Sequence, residues 1–446
     1  MNFDKYYEDF ISDLTGLIKI PSVLTEYNRD AEYPFGEDIH RSLEYVLELG
    51  KRDGFKTVNV NNHACYIEYG EGKEMLGVLC HLDVVPVGKE SEWKYHPFSA
   101  TIEDGKMYSR GTGDDKGPSI AAYYALKMIK DNNIPIKKRI RLIFGLDEES
   151  GSRCMKEYIE NEEIPTVSFA PDAEFPLIYA EKGIASFAFK GKCESNNLLS
   201  FESGVKLNVV PDEATAVVNV DLTNEFNEFI KSNNLDGFVE GNKYTLIGAT
   251  AHGSLPHLGV NAASMLLEFL NKHINNEFVK FACDYFTLDH YGKKLGIDCY
   301  DEEMADLTIN PAIFKYDGNE FVIASNIRYP KNFDYEANMK KLYALADKLS
   351  LEFNELGNSP HLYVSKESVL VKTLLAAYQK YTNDYVTQPL SMGGGTYARS
   401  VPNAVAFGPM FPGDEELAHQ RDEYVELDKL VKSVYIYYEA MKNLCD

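Results

Sequence analysis

Residues 75–88 read MLGVLCHLDVVPVG, and this stretch decides the fold of the chain. Its first six residues form a short apolar run bounded by Gly and charged residues, which is typical of a buried strand. His81 and Asp83 follow at the carboxyl end of that strand, where open α/β sheets place their ligands. Residues i and i+2 of a strand share one face, so Asp83 can hold the far nitrogen of His81 and fix which nitrogen meets a metal. A hydrogen-bonded loop pair is the other interpretation of this His-x-Asp motif.

The neighbouring segments predict an α/β domain with a mostly parallel central sheet flanked by helices. A strand, a helix and a second strand in succession indicate a parallel crossover. Predicted helices cover residues 4–19, 37–52 and about 119–130, a predicted hairpin covers 99–110, and the other predicted strands cover 55–60, 64–69, 139–145 and 166–170.

The pattern changes after about residue 181. Residues 185–365 alternate strands and helices but contain few tight acidic or His clusters. Strand-like segments at 207–220 and 318–330 and a helix at 260–274 predict an α+β domain there. A helix near 366–382, a strand at 404–407 and a helix near 425–442 then resume the earlier pattern. We therefore predict a catalytic domain of residues 1–184 and 363–446 that is interrupted by a lid domain of residues 185–362.

Composition excludes several classes of partner. The 446 residues carry 45 basic and 69 acidic side chains, a net charge of −24, and such a charge repels nucleic acids and anionic membranes. An acidic N-terminal segment argues against a signal peptide, and the sequence contains no apolar run long enough for a transmembrane helix. Seven scattered cysteines without a C-x-x-C pair indicate reduced thiols and a cytoplasmic protein.

Four further segments carry side chains suited to chemistry. The turn GTGDDKGP at 111–118 does not fit the phosphate-loop spacing, and its two adjacent carboxylates suit a cation better. LDEES at 146–150 and APDAEFP at 170–176 each follow a predicted strand, and DEELAH ends at His419. Ordinary interpretations are a turn before a helix, an acidic helix start that favours the helix dipole, and a lone surface His.

Together these segments predict a metal site. Imidazole and carboxylate ligands without thiolate are typical of catalytic hydrolytic sites, since structural zinc sites are usually closed and rich in Cys. Adjacent glutamates suit two functions, because one can bind a metal while the other is the base for a metal-bound water. The candidate ligands are His81, Asp114, Glu149, Asp172 and His419.

These motifs resemble the M20 family of di-metal peptidases, and within it the bacterial PepV-type dipeptidases, a Xaa-His dipeptidase or carnosinase-like branch. The resemblance runs through essentially the whole chain, in HLDVVPVG, RGTGDDKGP, DEESG, PDAEFP and the late His419. It implies the phosphorylase/hydrolase-like fold of di-zinc exopeptidases. It also implies a large lid of the PepV type, which stands in for a second subunit, and hence a monomer.

The resemblance further implies two divalent metal ions. His81, Asp172 and a bridging Asp114 would hold one ion, and Asp114, Glu149 and His419 the other. Zn²⁺ is the first expectation, and Mn²⁺ or Co²⁺ suit the same mixed donors.

Three further roles near the metals come from the family. Asp83 would orient His81, Glu148 would be the general base, and the peptide bond between Asp114 and Asp115 would be cis.

The lid would supply residues that meet the substrate. His252 in GATAHGS matches the family's lid His, which helps to polarise the scissile carbonyl, and His257 is its competitor. Arg328 can make a bidentate contact with the free carboxylate of a dipeptide. Asn208 is the other expected substrate-binding residue of the lid. Gly394, Gly395 and Thr396, in the second part of the catalytic domain, offer backbone donors to the same end.

The function that we predict is metal-dependent hydrolysis of the peptide bond of unblocked dipeptides, with β-Ala-Xaa among the candidates. One alternative is a deacylase of N-acyl amino acids, which differs in whether the substrate amine is free. Another is a non-catalytic metal or peptide binder, although Glu148 beside Glu149 argues against it. A two-carboxylate glycosidase leaves His81 and His419 unexplained.

Overall fold

The computed structural model describes residues 3–446, which form two compact units. The first unit runs to Ala180 and continues in Tyr363–Leu390 and Thr396–Asp446. The second consists of Glu181–Leu362 together with Ser391–Gly395. The first division thus lies slightly before the expected one at 184/185. The short glycine segment, expected in the catalytic domain, belongs to the second unit.

Ten α-helices occur within residues 3–446. They are α1 Asp4–Ile18, α2 Glu37–Arg52, α3 Lys116–Asp131, α4 Arg153–Asn161, α5 Thr223–Ser232, α6 Ala262–His273, α7 Glu277–Tyr285, α8 Tyr335–Leu349, α9 Val369–Thr382 and α10 Leu427–Leu444. None of the helices in this described part is both long and apolar enough to cross a membrane.

The strands within residues 3–446 range from two to ten residues in length. They are β1 Lys56–Val60, β2 Ala64–Tyr69, β3 Met75–His81, β4 Thr101–Glu103, β5 Lys106–Tyr108, β6 Arg139–Gly145, β7 Val167–Ala170, β8 Ala173–Glu174, β9 Ile178–Glu181, β10 Gly183–Lys192, β11 Leu198–Ser203, β12 Glu213–Val218, β13 Asp236–Glu240, β14 Lys243–Ile247, β15 Tyr300–Asp301, β16 Ala305–Asp306, β17 Thr308–Tyr316, β18 Glu320–Tyr329, β19 Glu352–Ser359, β20 Leu362–Tyr363, β21 Leu390–Met392, β22 Ala404–Ala406, β23 Pro409–Met410 and β24 Tyr424–Glu426.

A mixed central sheet organises the first unit, and its order is β1-β2-β6-β3-β7-β22-β9-β20. The inner strands β6, β3, β7 and β22 are parallel, whereas β1 and β2 add antiparallel pairs on one side. Every residue of β3 is buried, as expected for a central parallel strand that is covered on both faces. Helix α3 packs on β3 and α10 packs on α3. This is the α/β class that the sequence predicts.

An antiparallel sheet organises the second unit. Its eight strands follow the order β13-β14-β12-β11-β17-β18-β10-β19. Helix α6 packs against β12 and β14. The apolar core of this unit includes Phe189, Phe201, Leu266 and Phe314, all of which are 1 % exposed or less. An antiparallel sheet with helices beside it is the α+β arrangement expected for the lid.

Two segments differ from the predicted elements for reasons that involve proline. Helix α3 begins at Lys116, before the predicted start near Ser119. Pro118 lies in its first turn, where the missing N–H costs no hydrogen bond. The predicted strand at 207–220 is shorter, because only Glu213–Val218 pairs as β12. Pro211 precedes it and cannot donate to a ladder.

Candidate active site

Three neighbouring parallel strands bring the predicted ligands to one sheet edge. His81 is the last residue of β3, Glu148 and Glu149 follow β6, and Asp172 follows β7. The pairings β3·β6 and β3·β7 are both parallel, so the carboxyl ends of these strands share an edge, and ligands in open α/β sheets bind there. His81 is fully buried.

Asp114 lies between the two candidate His ligands. Its Oδ1 is 3.0 Å from His81 Nε2, and its Oδ2 is 3.1 Å from His419 Nε2. His419 Nε2 is also 3.0 Å from Glu149 Oε2, and Asp172 Oδ1 is 3.8 Å from His81 Nε2. A carboxylate that presents one oxygen to each of two imidazoles has the form of a bridging ligand. The structure therefore brings together all five residues predicted as metal ligands.

Two groups of three residues have the spacing of metal ligands within residues 3–446. One is His81, Asp114 and Glu149, and the other is His81, Glu148 and Asp172, with the ligand atoms of each group within 4.8 Å of one another. Both groups contain His81, so they describe adjoining positions.

The environment of His81 Nε2 is evidence for a cation-binding site. His81 Nε2 is buried and makes no hydrogen bond of good geometry, although carboxylate oxygens are near. Buried polar atoms without a partner are rare and call for an explanation such as an ion. His and carboxylate donors without thiolate also suit Zn²⁺ or Mn²⁺. The residues present therefore fit a divalent metal.

Charge within this cluster shifts several pKa values. Burial, and then the Asp172 carboxylate, raises the pKa of Glu148 well above its usual value. Burial also raises the pKa of Glu149 to about 7, although the hydrogen bond with His419 opposes the shift. Burial alone would raise the pKa of Asp114, but hydrogen bonds with His419 and His81 outweigh it and lower the pKa. Carboxylates held this close repel one another, and a cation relieves that repulsion.

The carboxylate of Asp83 is hydrogen-bonded to the backbone of Glu148 and Glu149 and lies farther from the His81 ring. Its Oδ1 and Oδ2 accept hydrogen bonds from the backbone N–H groups of Glu148 and Glu149, each at 3.1 Å. His81 Nδ1 is 3.0 Å from the backbone oxygen of Asp83 and 3.6 Å from Oδ1. The nearer oxygen that can orient the His81 ring is thus the backbone carbonyl. Asp83 also fixes the turn that carries both glutamates.

A second buried carboxylate holds the other end of that turn. Asp147 is fully buried and accepts hydrogen bonds from Arg153 N, Nε and Nη2 at 2.9, 2.7 and 2.5 Å. Ser152 N donates to the backbone oxygen of Asp147 at 2.6 Å. The segment between them is therefore a turn and not the acidic helix start considered above, because α4 begins only at Arg153.

The loop before α3 is anchored beneath His81. The Asp114–Asp115 peptide is cis, as predicted. Asp115 Oδ2 accepts hydrogen bonds from His81 N at 3.1 Å and from Ser119 Oγ at 3.2 Å. Lys116 is buried and donates from Nζ to the backbone oxygens of Leu17 and Ile20. The sequence predicted Asp115 only as a second carboxylate suited to a cation, and it assigned no role to Lys116.

The predicted lid residues lie in the second unit and are held by their neighbours there. His252 Nδ1 is 2.6 Å from Ser254 Oγ, and the Asn208 backbone oxygen accepts from Gly253 N at 2.7 Å. Arg328 is buried and donates from Nε to Asn326 Oδ1 at 2.7 Å.

The segment 393–396 is split between the two units, since Gly395 is in the second and Thr396 in the first. Arg328 Nη1 donates to the Gly393 backbone oxygen at 2.9 Å, and Gly394 and Gly395 belong to the second unit with them. Thr396 belongs to the first unit, where its Oγ1 accepts from Ala398 N.

Known proteins share this architecture. The sequence pattern of peptidase family M20/M25/M40 matches residues 77–443. A Bacillus subtilis strain 168 protein named "Putative dipeptidase YtjP" is 41% identical over 457 residues, covering 98% of this chain and 97% of that protein. A Staphylococcus epidermidis protein named "Putative dipeptidase" is 40% identical over 470 residues, covering 99% and 98%.

Solved structures of the family show the same fold at low identity. An M20 family metallo-carboxypeptidase from Sulfolobus solfataricus superposes with a TM-score of 0.58 at 20% identity, covering 97% of this chain and 98% of that one. An aminoacylhistidine dipeptidase from Vibrio alginolyticus gives 0.56 at 14% identity, covering 98% and 97%. With the family match and the close relatives, the chain belongs to peptidase family M20/M25/M40 and is a peptide hydrolase.

Proposed function

We propose that the protein is a dinuclear metallo-dipeptidase that hydrolyses the peptide bond of unblocked dipeptides. The observation that carries the proposal is the Asp114 carboxylate between His81 and His419, with the half-buried Glu148 grouped with His81 and Asp172. The names of the relatives at 41% and 40% identity support dipeptides as the substrate class.

Five residues would hold the two ions. His81, Asp114 and Asp172 would bind one, and Asp114, Glu149 and His419 the other. When bound, such a pair of ions lowers the pKa of water towards neutrality and polarises the scissile carbonyl. We propose Zn²⁺ first, with Mn²⁺ or Co²⁺ as alternatives that the same donors accept.

Glu148 would be the general base that transfers the proton of the attacking water. Its side chain is half-buried, and its pKa is raised well above the usual value, so it holds a proton more readily than an ordinary carboxylate. As general base it would take a proton from the attacking water and pass it to the leaving amine. Asp83 would hold the turn that carries Glu148 and Glu149 in place, since its carboxylate accepts hydrogen bonds from both backbone N–H groups.

The second unit would recognise the substrate in the roles that the family implies. His252 would donate to the developing oxyanion, and Arg328 would pair with the free carboxylate of the dipeptide. The hydrogen bonds from Arg328 to Asn326 and Gly393 hold its guanidinium in one orientation. Asn208, Gly394, Gly395 and Thr396 complete the proposed substrate-binding set.

We also propose a cytoplasmic monomer. All seven cysteines are free thiols, and six of them are buried, which suits a reducing compartment. The second unit carries an eight-stranded sheet of its own, consistent with the large lid that replaces a second subunit in the PepV type.

Hydrolysis of a small substrate panel tests the proposal. Metal-reconstituted protein is offered free dipeptides including β-Ala-His, the matched N-acyl amino acids and a tripeptide. We expect cleavage of the dipeptides alone. Cleavage of the N-acyl compounds instead would place the protein among the deacylases, and no cleavage with two metals bound would identify a binding protein.

A further inference from the structure

Glu423 is a buried carboxylate that gathers the loop carrying Asp114. Its side chain is 1 % exposed. Its Oε2 accepts hydrogen bonds from Arg110 Nη1 at 2.6 Å and Gly111 N at 3.2 Å. Its Oε1 accepts from Gly113 N at 2.8 Å and Asp114 N at 3.3 Å. One side chain therefore binds most of the loop between Arg110 and Asp114.

Glu423 also belongs to the segment that carries His419, four residues earlier in the chain. Ser109 N donates to the Glu423 backbone oxygen at 3.0 Å. Arg110 Nη1 donates to the Gln420 backbone oxygen at 3.1 Å as well as to Glu423. Beyond this point, β24 pairs with β5 and places Tyr424 opposite Tyr108. The two segments are thus joined by a strand pair and by one buried carboxylate.

The backbone of the loop is shaped to receive an anion. Gly111 has φ +85°, a left-handed conformation that favours glycine, and an added Cβ there would lie 3.0 Å from Val84 Cγ1. Successive N–H groups that converge in such a turn form an anion-binding concavity. Here the chain itself supplies the anion, in Glu423.

We propose that Glu423 is a positioning residue that sets the affinity for the divalent ion shared by Asp114 and His419. These two ligands lie 305 positions apart in the sequence, yet their Oδ2 and Nε2 atoms are 3.1 Å apart. Glu423 accepts a hydrogen bond from the backbone N–H of Asp114. It therefore acts on the position of Asp114 and not on the carboxylate that would bind the metal. The inference rests on the proposed two-metal function.

Replacing the charge while keeping the shape tests this role. In Glu423→Gln one oxygen becomes an NH₂ group that faces N–H donors, and the buried Arg110 loses its counter-charge. The matched control is Glu426→Gln, on β24 three residues later, where the carboxylate is 38 % exposed and pairs with Lys429. Zn²⁺ binding to the metal-free proteins is measured by competition with a chromogenic chelator, beside circular dichroism and thermal unfolding.

We expect two Zn²⁺ ions bound by the wild type and by the control. In Glu423→Gln one of the two affinities should fall about 10- to 100-fold, as for other groups that orient metal ligands, while the secondary structure is kept. Excess Zn²⁺ should restore most of the hydrolysis rate. If Glu423→Gln does not fold, Glu423→Asp, which keeps the charge but withdraws both oxygens, takes its place with the same readout.

Both Zn²⁺ affinities unchanged in a folded variant would overturn the proposal, even if thermal stability falls, because Glu423 would then be purely structural. Failure of the proposed function has a different signature. A wild type that binds two Zn²⁺ ions but cleaves no dipeptide disproves the dipeptidase, while the affinity of Glu423→Gln still decides the role of Glu423. A wild type that binds no Zn²⁺ overturns both.

Discussion

At the scale of single residues, the site combines carboxylates that oppose one another's ionisation with imidazoles that favour it. Glu148 and Glu149 have raised pKa values because they are buried near other carboxylates, whereas hydrogen bonds with Asp114 and Glu149 raise the pKa of His419 to about 10. Such shifts cluster at functional sites. Because the adjacent glutamates differ in their contacts, the two can have different roles. Glu149 contacts His419, whereas Glu148 is grouped with His81 and Asp172.

Glu148→Gln should therefore separate turnover from metal binding. The amide keeps the shape of the side chain but cannot take a proton, so we expect kcat to fall about 10²- to 10⁴-fold. Zn²⁺ stoichiometry should stay at the wild-type value, since the proposed ligands are intact. The control is Glu160→Gln, whose carboxylate is 51 % exposed on α4. A metal-loaded Glu148→Gln protein with the wild-type rate would disprove the assignment of the base.

Arg328→Lys tests recognition of the substrate carboxylate. Lysine keeps the charge but lacks the planar fork that matches a carboxylate, so the two residues are not equivalent at such a site. We expect KM for free dipeptides to rise about 10- to 100-fold, the equivalent of a charged hydrogen bond of about 1.5–3 kcal/mol. KM for dipeptide amides should change little. Arg421→Lys, at an arginine that is 65 % exposed, is the control, and equal effects on both substrates would refute the role.

Sequence patterns predicted the candidate ligands but not the residues that hold them in place. His81, Asp114, Glu149, Asp172 and His419 were visible because each lies in a motif, and the structure brings them together. The roles of Asp147, Arg153 and Glu423 could not be predicted, because a buried ion pair and an isolated surface acid look alike in a sequence. Only the folded chain shows that Glu423 is buried. The stretch RDEY at 421–424 offers no spacing signal for it.

At the scale of elements, a buried charge network joins β1, β2 and β6. Glu68 on β2 is 5 % exposed and lies between Lys56 on β1 and two arginines on β6. Its Oε2 accepts from Arg141 Nε at 2.7 Å, and the Arg141 guanidinium lies 3.8 Å from the centre of the Tyr66 ring. Burial alone would raise the pKa of Glu68, but hydrogen bonds with Lys56 and Arg141 outweigh it and lower the pKa.

Glu68→Gln should destabilise the first unit by about 1.5–3 kcal/mol near neutral pH, the usual value of a hydrogen bond to a charged group. Buried Arg141 then loses the Glu68 carboxylate and keeps Glu162 and the Tyr158 hydroxyl. A lowered pKa means that this stability is present above the unfolded value of about 4.3 and is lost as the pH falls through the folded value. The difference from the wild type should therefore shrink below about pH 4.

Urea unfolding followed by the fluorescence of Trp93, the single tryptophan of the chain, reports on this unit at each pH. Glu71→Gln, an exposed neighbour on the loop after β2, should unfold like the wild type at every pH. A difference for Glu68→Gln that stays constant down to about pH 3 would contradict the linkage.

Element boundaries were predictable where periodicity was strong. The strands β2 and β6 coincide with the predicted segments 64–69 and 139–145. The differences lie near prolines, where the sequence signal is ambiguous: the helix predicted from about Ser119 begins at Lys116, because the first turn of a helix accepts Pro118. The bulge in β17 between Pro311 and Ile313 depends on pairing across the sheet, which local pattern does not encode.

At the scale of the whole molecule, removal of the metals should separate activity from fold. Dialysis against a chelator should abolish hydrolysis but leave the far-ultraviolet circular dichroism intact, because buried apolar residues and hydrogen-bonded sheets stabilise each unit. Zn²⁺ at 100 times its Kd should then stabilise the protein by about 2.7 kcal/mol per site.

The affinity should weaken at lower pH, since the ligands bind only when deprotonated. Thermal unfolding with and without Zn²⁺, at two pH values, measures both effects. An unfolding midpoint that does not respond to Zn²⁺ would contradict a site built into the native state.

The central sheet has a consequence for synthesis on the ribosome. Strand β22, Ala404–Ala406, lies between β7 and β9, so the first unit cannot close its sheet until these late residues have left the exit tunnel. The antiparallel sheet of the second unit is complete at β19. Its strands can therefore pair before β22 of the first unit has been synthesised. Until then β7 presents an open edge, the kind of surface that promotes aggregation. The nascent chain also lacks His419 until that point, so the proposed metal site is incomplete before the sheet is closed.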